Sequence, residues 1–428
     1  MLPLRTAPFL SKARVDSMKI LVYGINYAPE LTGIGKYTAE MAETLAAKGH
    51  AVRVVCAPPY YPEWRVANGY HSARYATEQR NGVRLWRAPL WVPRRPRGAL
   101  RIVHLASFAL TSFPLVLRHA FWRPDAVICV APSLMNAPAG WLTARLSGAH
   151  AWLHIQDYEV DAAFNLGMLD GSLLRRAALT FERMLMKRFD TVSTISGKMV
   201  ERALHKGISP AKLVRFSNWA DTRSIYPLER PSELRASLSI ALDATVVLYS
   251  GNMGAKQGLD VLADAAQRLE SRDNLVFVFC GNGPARDDLV ARCGALRNCR
   301  FINLQPANRL NELLNLADIH VLPQRADAAD LVMPSKLTGM FASGRAVIAM
   351  ASAGTELHDV VCRRGVLVAP GNPEALASAI DALAADTTRR MHLGRAGRDF
   401  AEAVLSREAV LREFEARLSA LCRTPPGT

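Results

Sequence analysis

Short apolar runs that end in a small residue, each followed by a stretch of helical periodicity, recur along this chain and limit its fold more than any other feature. The first is Lys19-Ile20-Leu21-Val22-Tyr23-Gly24. A loop from Asn26 to Gly35 follows. The segment 36–48 then carries Tyr37, Met41 and Leu45 at helical spacing and stops at Gly49, and the segment 51–57 is apolar again. A strand without polar alternation is covered on both faces, which is the condition of a parallel sheet. Parallel strands are joined only through a crossover, so the span 19–57 reads as a βαβ unit.

The pattern continues with strands at 83–87, 126–130, 151–155 and 191–195 and helices near 99–119, 136–147, 172–188 and 197–206. After a linker at 222–243 it begins again, with strands at 245–250, 275–280, 300–304, 319–322, 346–349 and 365–368. The tail, 374–385, 387–402 and 406–421, is helical. The length of 428 residues is large for one core and comfortable for two. The expected fold is α/β, with two Rossmann-like, doubly wound domains facing a cleft. The expected division is a loose N-terminal extension (1–17), a first domain (18–220), a second domain (221–397) and a C-terminal helix with its tail (398–428). Residues 1–17 lack the long apolar run of a signal peptide.

Charge separates the halves as sharply. Residues 1–220 hold 29 basic and 14 acidic side chains, whereas residues 221–428 hold 24 of each, so the whole +15 lies in the first half with all seven Trp. Charge on this scale bears on partners: nucleic acid, an anionic membrane or anionic small molecules. It is densest from Arg84 to Arg123, with eight Arg and no Asp, Glu or Lys. Arg94, Arg95 and Arg97 precede the apolar stretch 99–117, and Trp86, Trp91 and Trp122 flank it. Such a helix suits an anionic membrane surface, or is a buried helix beside an exposed basic loop. No nucleic-acid module accompanies it, so no nucleic-acid partner is expected. No uncharged apolar segment of about 18 residues qualifies cleanly as a transmembrane helix. The seven Cys are scattered without zinc-knuckle spacing, which suits reduced, mostly buried thiols.

Candidate chemistry lies in the loops. Gly33 and Gly35 stand where a helix begins, fitting either a tight turn or contact with a sugar or diphosphate. Ser250-Gly251-Asn252-Met253-Gly254-Ala255-Lys256 ends a strand and opens a helix, with Lys256 as a cation beside small residues. Gly281 and Gly283 close the next strand, at the ligand edge of a doubly wound sheet. Ser335 is placed to cap a helix, with Lys336 as a second counter-charge. His154 ends a strand, and Asp157 follows it. A neutral His there orients a hydroxyl or is simply satisfied in the core. The loop carboxylates Asp157, Glu159, Asp161, Asp327 and Asp330 read as solvated, and no metal site is assigned.

In order along residues 18–421, these pieces resemble a known family. They are Tyr23-Gly24-Ile25-Asn26-Tyr27-Ala28-Pro29-Glu30, Thr32-Gly33-Ile34-Gly35-Lys36-Tyr37, Pro58-Pro59-Tyr60-Tyr61-Pro62, His154-Ile155-Gln156-Asp157, Ser250-Gly251-Asn252-Met253-Gly254 and Leu331-Val332-Met333-Pro334-Ser335-Lys336-Leu337. The chain is similar to the GT-B glycosyltransferases of the large retaining family four, and within it to bacterial exopolysaccharide enzymes of the colanic-acid type. The resemblance implies a nucleotide-sugar donor in the second domain. Asn252, Gly254, Lys256, Gly281, Gly283, Ser335 and Lys336 then fall at the nucleotide and its diphosphate, with Gly33 and Gly35 over the phosphates. His154 falls near the transferred sugar, with Asp157 beside it. Where many members carry two glutamates separated by seven residues, this chain has Leu331 and Gly339.

The activity so implied is retaining transfer of a hexose, fucose or another, from a GDP- or UDP-linked donor to a lipid-linked oligosaccharide. No cofactor or metal is implied. The place implied is the cytoplasmic side of the inner membrane, held peripherally on its anionic surface. The alternatives are a nucleotide-sugar epimerase or hydrolase of the same architecture, and a non-catalytic scaffold of a polysaccharide assembly complex.

Overall fold

The apolar runs form the strands of two sheets. The computed structural model describes residues 17–30, 33–94, 98–132, 134–158, 172–254, 257–325 and 335–423. In the first sheet, β1 (Lys19–Gly24), β2 (Ala51–Cys56), β3 (Ala76–Arg80), β4 (Val83–Arg87), β5 (Ala126–Ala131), β6 (His150–Ile155), β7 (Thr191–Thr194) and β8 (Leu213–Arg215) lie in the order β3-β4-β2-β1-β5-β6-β7-β8. Strand β1 runs parallel to both neighbours, with Tyr23 opposite Val55 on one side and Cys129 on the other. Its helices are α1 (Gly33–Ala47), α2 (Ala99–Arg118), α3 (Ala137–Ser147) and α4 (Ser172–Arg188).

Strand β3 is an element that apolar runs do not reveal. Its sequence, ATEQR, is polar and mostly exposed, and it pairs antiparallel with β4 at the sheet edge. The signal for it is Asn81-Gly82, two residues at positive φ (47° and 81°) closing a two-residue hairpin.

Helix α2 has two unlike faces. His104, Phe108, Ser112 and Val116 are buried, and Tyr23 Oη lies 2.7 Å from Ser112 Oγ. Leu100, Val103, Leu110 and Phe113 are exposed, and Phe121 just beyond the helix is 91% exposed. By length and composition Leu100–Trp122 is long and apolar enough to cross a membrane, and only 28% of its most apolar window is buried. Its arginines, Arg101 and Arg118, stand near the ends and leave the middle uncharged.

The second sheet has β9 (Thr245–Ser250), β10 (Leu275–Cys280), β11 (Cys299–Ile302), β12 (Ile319–Leu322), β13 (Ala346–Met350) and β14 (Val366–Val368) in the order β11-β10-β9-β12-β13-β14, and its paired strands run parallel. The remaining helices are α5 (Gly197–His205), α6 (Leu234–Ser237), α7 (Leu259–Arg268), α8 (Arg286–Cys293), α9 (Leu310–Leu316), α10 (Ser335–Ala342), α11 (Glu356–Val361), α12 (Pro373–Ala385), α13 (Thr387–Phe400) and α14 (Arg407–Arg423). Both faces of this sheet are buried. Tyr249, Phe277 and Ile348 pack with Leu262, Leu376 and Ile380 on one side. Leu248 and Val278 pack with Leu234 and Leu316 on the other.

Packing divides the chain into Met1–Val192 with Arg417–Thr428, and Ser193–Ala416. By packing, the division falls at 192/193. Contacts within Ser193–Ala416 account for this. The amides of Gly197 and Lys198 donate to Glu356 (3.3 and 3.2 Å), Ala220 N–H donates to Leu405 O (2.7 Å), and Phe216 stacks on Phe414 at 4.2 Å. At the other end, the Cys422 thiol reaches Asp125 O (3.6 Å) within the first unit.

Phe277 is 1% exposed in the second core. Phe277→Ala is expected to cost about 3–5 kcal/mol, read from the urea midpoint, with the first unit's transition unmoved.

Candidate functional site

Strand order in the second sheet reverses between β9 and β12, so the loops after these strands leave in opposite directions and open a crevice at the sheet's carboxyl edge. The chain is drawn tight there. Gly281 has φ +150°, and a Cβ on it would collide with the carbonyl oxygen of Gly251. No other residue type fits that approach. Met253 N–H donates to Asn282 O (2.9 Å) and Ala285 N–H to Met253 O (2.9 Å), tying the loop after β9 to the loop after β10. Gly258, before α7, lies against the backbone of Gln324 and Arg325 after β12. Asn252, Gly254, Gly281 and Gly283 are therefore one connected edge.

Lys336 projects into this edge from the first turn of α10. Its Nζ donates to Tyr249 Oη (2.8 Å) and Gln257 Oε1 (3.2 Å) and sits 4.5 Å from the Tyr249 ring centroid. The Tyr249 hydroxyl donates in turn to Asn252 O at 2.5 Å. Both acceptors of the ammonium are neutral, and among the described residues no carboxylate pairs with it. Burial pulls its pKa down to about 8. The amino ends of α7, where Gly258 makes no side-chain capping bond, and of α10 reach the same edge, where a helix dipole favours negative charge. The arrangement is a half-buried cation with a spare donor N–H, set among backbone amides: a receptor for an anion.

Ser335 is the first residue of α10 and exposed. Lys256, Glu159, Asp161, Asp327, Asp330 and Leu331 lie outside the described residues, as do residues 1–16 of the expected extension. Gly339 faces Leu314 and Ile225, an apolar setting away from the edge. Among the described residues no group of His, Cys, Asp and Glu is placed to hold a metal ion.

In the first unit, Gly33 and Gly35 begin α1. Glu30 organises this region and was given no role from sequence. Its carboxylate, 6% exposed, accepts from the amides of Tyr60 and Tyr61 (both 3.1 Å) and from Asn26 Nδ2 (3.0 Å). Burial pushes the Glu30 carboxyl above its ordinary value, opposed by these donors. A Cβ on Gly35 would stand 2.5 Å from Glu30 Oε2, so Gly35 is glycine to admit this carboxylate. The only signal for Glu30 is a lone acid ahead of two glycines. His154 is 3% exposed in β6, opposite Val130, and burial holds its pKa down to about 3. It is therefore neutral, while Asp157, just past the strand, is exposed. Tyr249 and Gln257 were also missed, because nothing in a strand's last residues announces which lysine they will meet.

Known proteins match this framework. A glycosyl transferase 4-like domain matches residues 32–219, and the group 1 glycosyl transferases match residues 244–386. The glycosyl transferase WcaI of Escherichia coli (strain K12), named for colanic acid biosynthesis, is 42% identical over 407 residues, which are 93% of this chain and 98% of that protein. The fold is similar to that of sucrose-phosphate synthase from Thermosynechococcus elongatus, with a TM-score of 0.71 at 17% identity over 94% of this chain and 99% of that one. It is also similar to Anabaena Alr3699/HepE in complex with UDP and glucose, with a TM-score of 0.68 at 14% identity over 94% and 100% of the two chains. These last two are likenesses of GT-B fold.

The lowered pKa of Lys336 has a signed consequence. Between about pH 8 and the ordinary lysine value the unfolded chain holds a proton that the folded chain has lost, so stability rises with pH across that window. Lys336→Met is expected to remove this rise and to be more stable than the parent below pH 8. Thermal unfolding of both proteins from pH 7 to pH 10 checks it.

Proposed function

The chain belongs to the family 4 glycosyltransferases, and from that premise we propose that it moves a hexose from a GDP- or UDP-linked donor to a lipid-linked saccharide during exopolysaccharide assembly of the colanic-acid kind. One observation supports the donor half of this reading: the Lys336 ammonium, whose partners among the described residues are neutral, at the strand-order reversal of the second sheet. A nucleoside diphosphate supplies the charge that this cation and the surrounding amides lack.

The chemical difficulty is departure of the diphosphate while positive charge grows at the anomeric carbon. In this reading Lys336 and the amino ends of α7 and α10 stabilise the leaving group, with Lys256 as a second cation. His154, neutral through burial, supplies a hydrogen bond to the sugar and not a proton. Retention follows from attack on the face the diphosphate leaves, with its oxygen taking the acceptor's proton, and no enzyme carboxylate acts as nucleophile. Residues 18–220 receive the acceptor and 221–397 the donor. The outward face of α2, apolar and preceded by arginines, rests on the anionic inner surface of the cytoplasmic membrane, where a lipid-linked acceptor resides.

The test is a panel of GDP- and UDP-sugars against lipid-linked acceptors, with products identified by mass. Transfer is expected from one donor class, and Lys336→Met is expected to lower kcat/KM by about a hundredfold or more while circular dichroism stays unchanged. Sugar released or epimerised without acceptor would move the reading to a hydrolase or epimerase. Polymer made normally in cells carrying His154→Ala with Lys336→Met would move it to a scaffold.

A further inference from the structure

Strands β2 and β4 place two arginines directly opposite each other, Arg53 against Arg84. Like charges in that position oppose pairing. A third, Arg118, ends α2 close enough to depress the Arg53 pKa together with Arg84, after the effect of burial. Two indoles hold the group. The Arg53 Cζ lies 4.1 Å from the Trp122 ring centroid and 5.3 Å from that of Trp86, and the Arg84 Cζ lies 5.1 Å from Trp86. Trp86 is buried, Arg53 and Trp122 are half-buried, and Arg84 and Arg118 are exposed. Among the described residues none of the three guanidinium groups meets a carboxylate or a hydrogen-bond acceptor. Three other arginines of this unit are paired with carboxylates: Arg80 with Glu43, Arg87 with Glu78 and Arg145 with Asp190. The carboxyl end of α2 offsets part of the charge through its dipole and leaves the guanidinium donors without an acceptor among the described residues.

We propose that Arg53, Arg84 and Arg118, with Trp86 and Trp122, form a binding site for the phosphodiester headgroup of an anionic phospholipid. This rests on the membrane reading of α2 and deepens it. Two observations choose a lipid over a free phosphate. Phe121, beside Trp122 and just beyond α2, is 91% exposed, and Leu110 and Phe113 on α2 are exposed as well, so apolar side chains lead up to the arginines. An indole beside an uncompensated guanidinium is also the pairing that a headgroup region accommodates, with ring and stem in the acyl boundary and charge at the phosphate. The site gives the surface selectivity for phosphate over charge alone, because a guanidinium presents paired N–H groups to two phosphate oxygens.

Flotation with vesicles tests it. The full chain is expected to float with phosphatidylcholine vesicles containing phosphatidylglycerol, and less with vesicles of equal surface charge supplied by oleate. Arg84→Gln with Arg118→Gln is expected to weaken binding by about thirty-fold. The conservative pair Arg84→Lys with Arg118→Lys is expected to lose headgroup preference while keeping adhesion. A control, Arg389→Gln with Arg395→Gln on the exposed side of α13, removes equal charge and is expected to float like the parent. Equal flotation of the parent and the Arg84/Arg118 variants would overturn the headgroup site and leave the membrane reading standing. No flotation of the parent with any vesicle would overturn both. Inorganic phosphate displacing the protein from vesicles at millimolar concentration, or single-stranded RNA bound in preference to vesicles, would also overturn the proposal.

Discussion

A parallel strand cannot turn back on its neighbour, and everything in this molecule depends on that restriction. Each strand must be followed by a crossover, and where the crossover is a helix its amino end arrives at the carboxyl edge of the sheet. In the second sheet this brings the starts of α7 and α10 to the edge where the strand order reverses. Backbone amides without intrahelical partners then collect in one place. The fold therefore polarises this edge before any side chain is chosen, and Lys336 adds full charge there, which is what the proposed donor site rests on.

How buried charges are treated elsewhere explains why Lys336 stands out. Arg87, 2% exposed, donates to Ala57 O (2.7 Å), Ala28 O (2.6 Å) and Glu78 Oε1 (2.5 Å). Arg235 meets Asp318 at 2.7 Å and two carbonyls at about 3 Å. Glu356 is held by the amino end of α5 and by Arg215. Each of these is compensated within the fold, as burial requires. Half-buried Lys336 has no such compensation among the described residues, and the Arg53–Arg84–Arg118 group gathers like charge towards the surface. One is a single desolvated ammonium in a loop cluster, and the other is a set of opposed guanidinium groups over indoles. They differ in what they suit: a small phosphate-bearing molecule at one, an extended phosphate-bearing surface at the other.

Much of this was legible beforehand for a simple reason. Strands buried on both faces are written as unbroken apolar runs, and β1, β9, β10 and β13 announce themselves within a residue or so of where they lie. The glycine loops were legible because backbone that approaches backbone admits no other residue, as at Gly281. Strand β3 was not found through apolar pattern, since an exposed edge strand has none, although Asn81-Gly82 marks its turn. The meaning of Gly35 was hidden altogether. It depends on Glu30 reaching across to Tyr60 and Tyr61, thirty positions away. Packing divides the chain at 192/193 because Glu356 and Leu405 hold the segment after β7, whereas charge and composition change near 220.

By itself, then, the order of residues determined the class of fold, the loops that carry chemistry and the half that carries the charge. These follow from local rules: apolar runs, helical spacing, glycine at tight approaches. Only the tertiary structure decided that Lys336 meets no charged partner among the described residues, that Arg53 and Arg84 face each other, and that α2 keeps one apolar side outward. Whether a charge is compensated is a property of the groups around it in space. Those groups come from elements far apart along the chain, so no reading of neighbours in sequence could supply it.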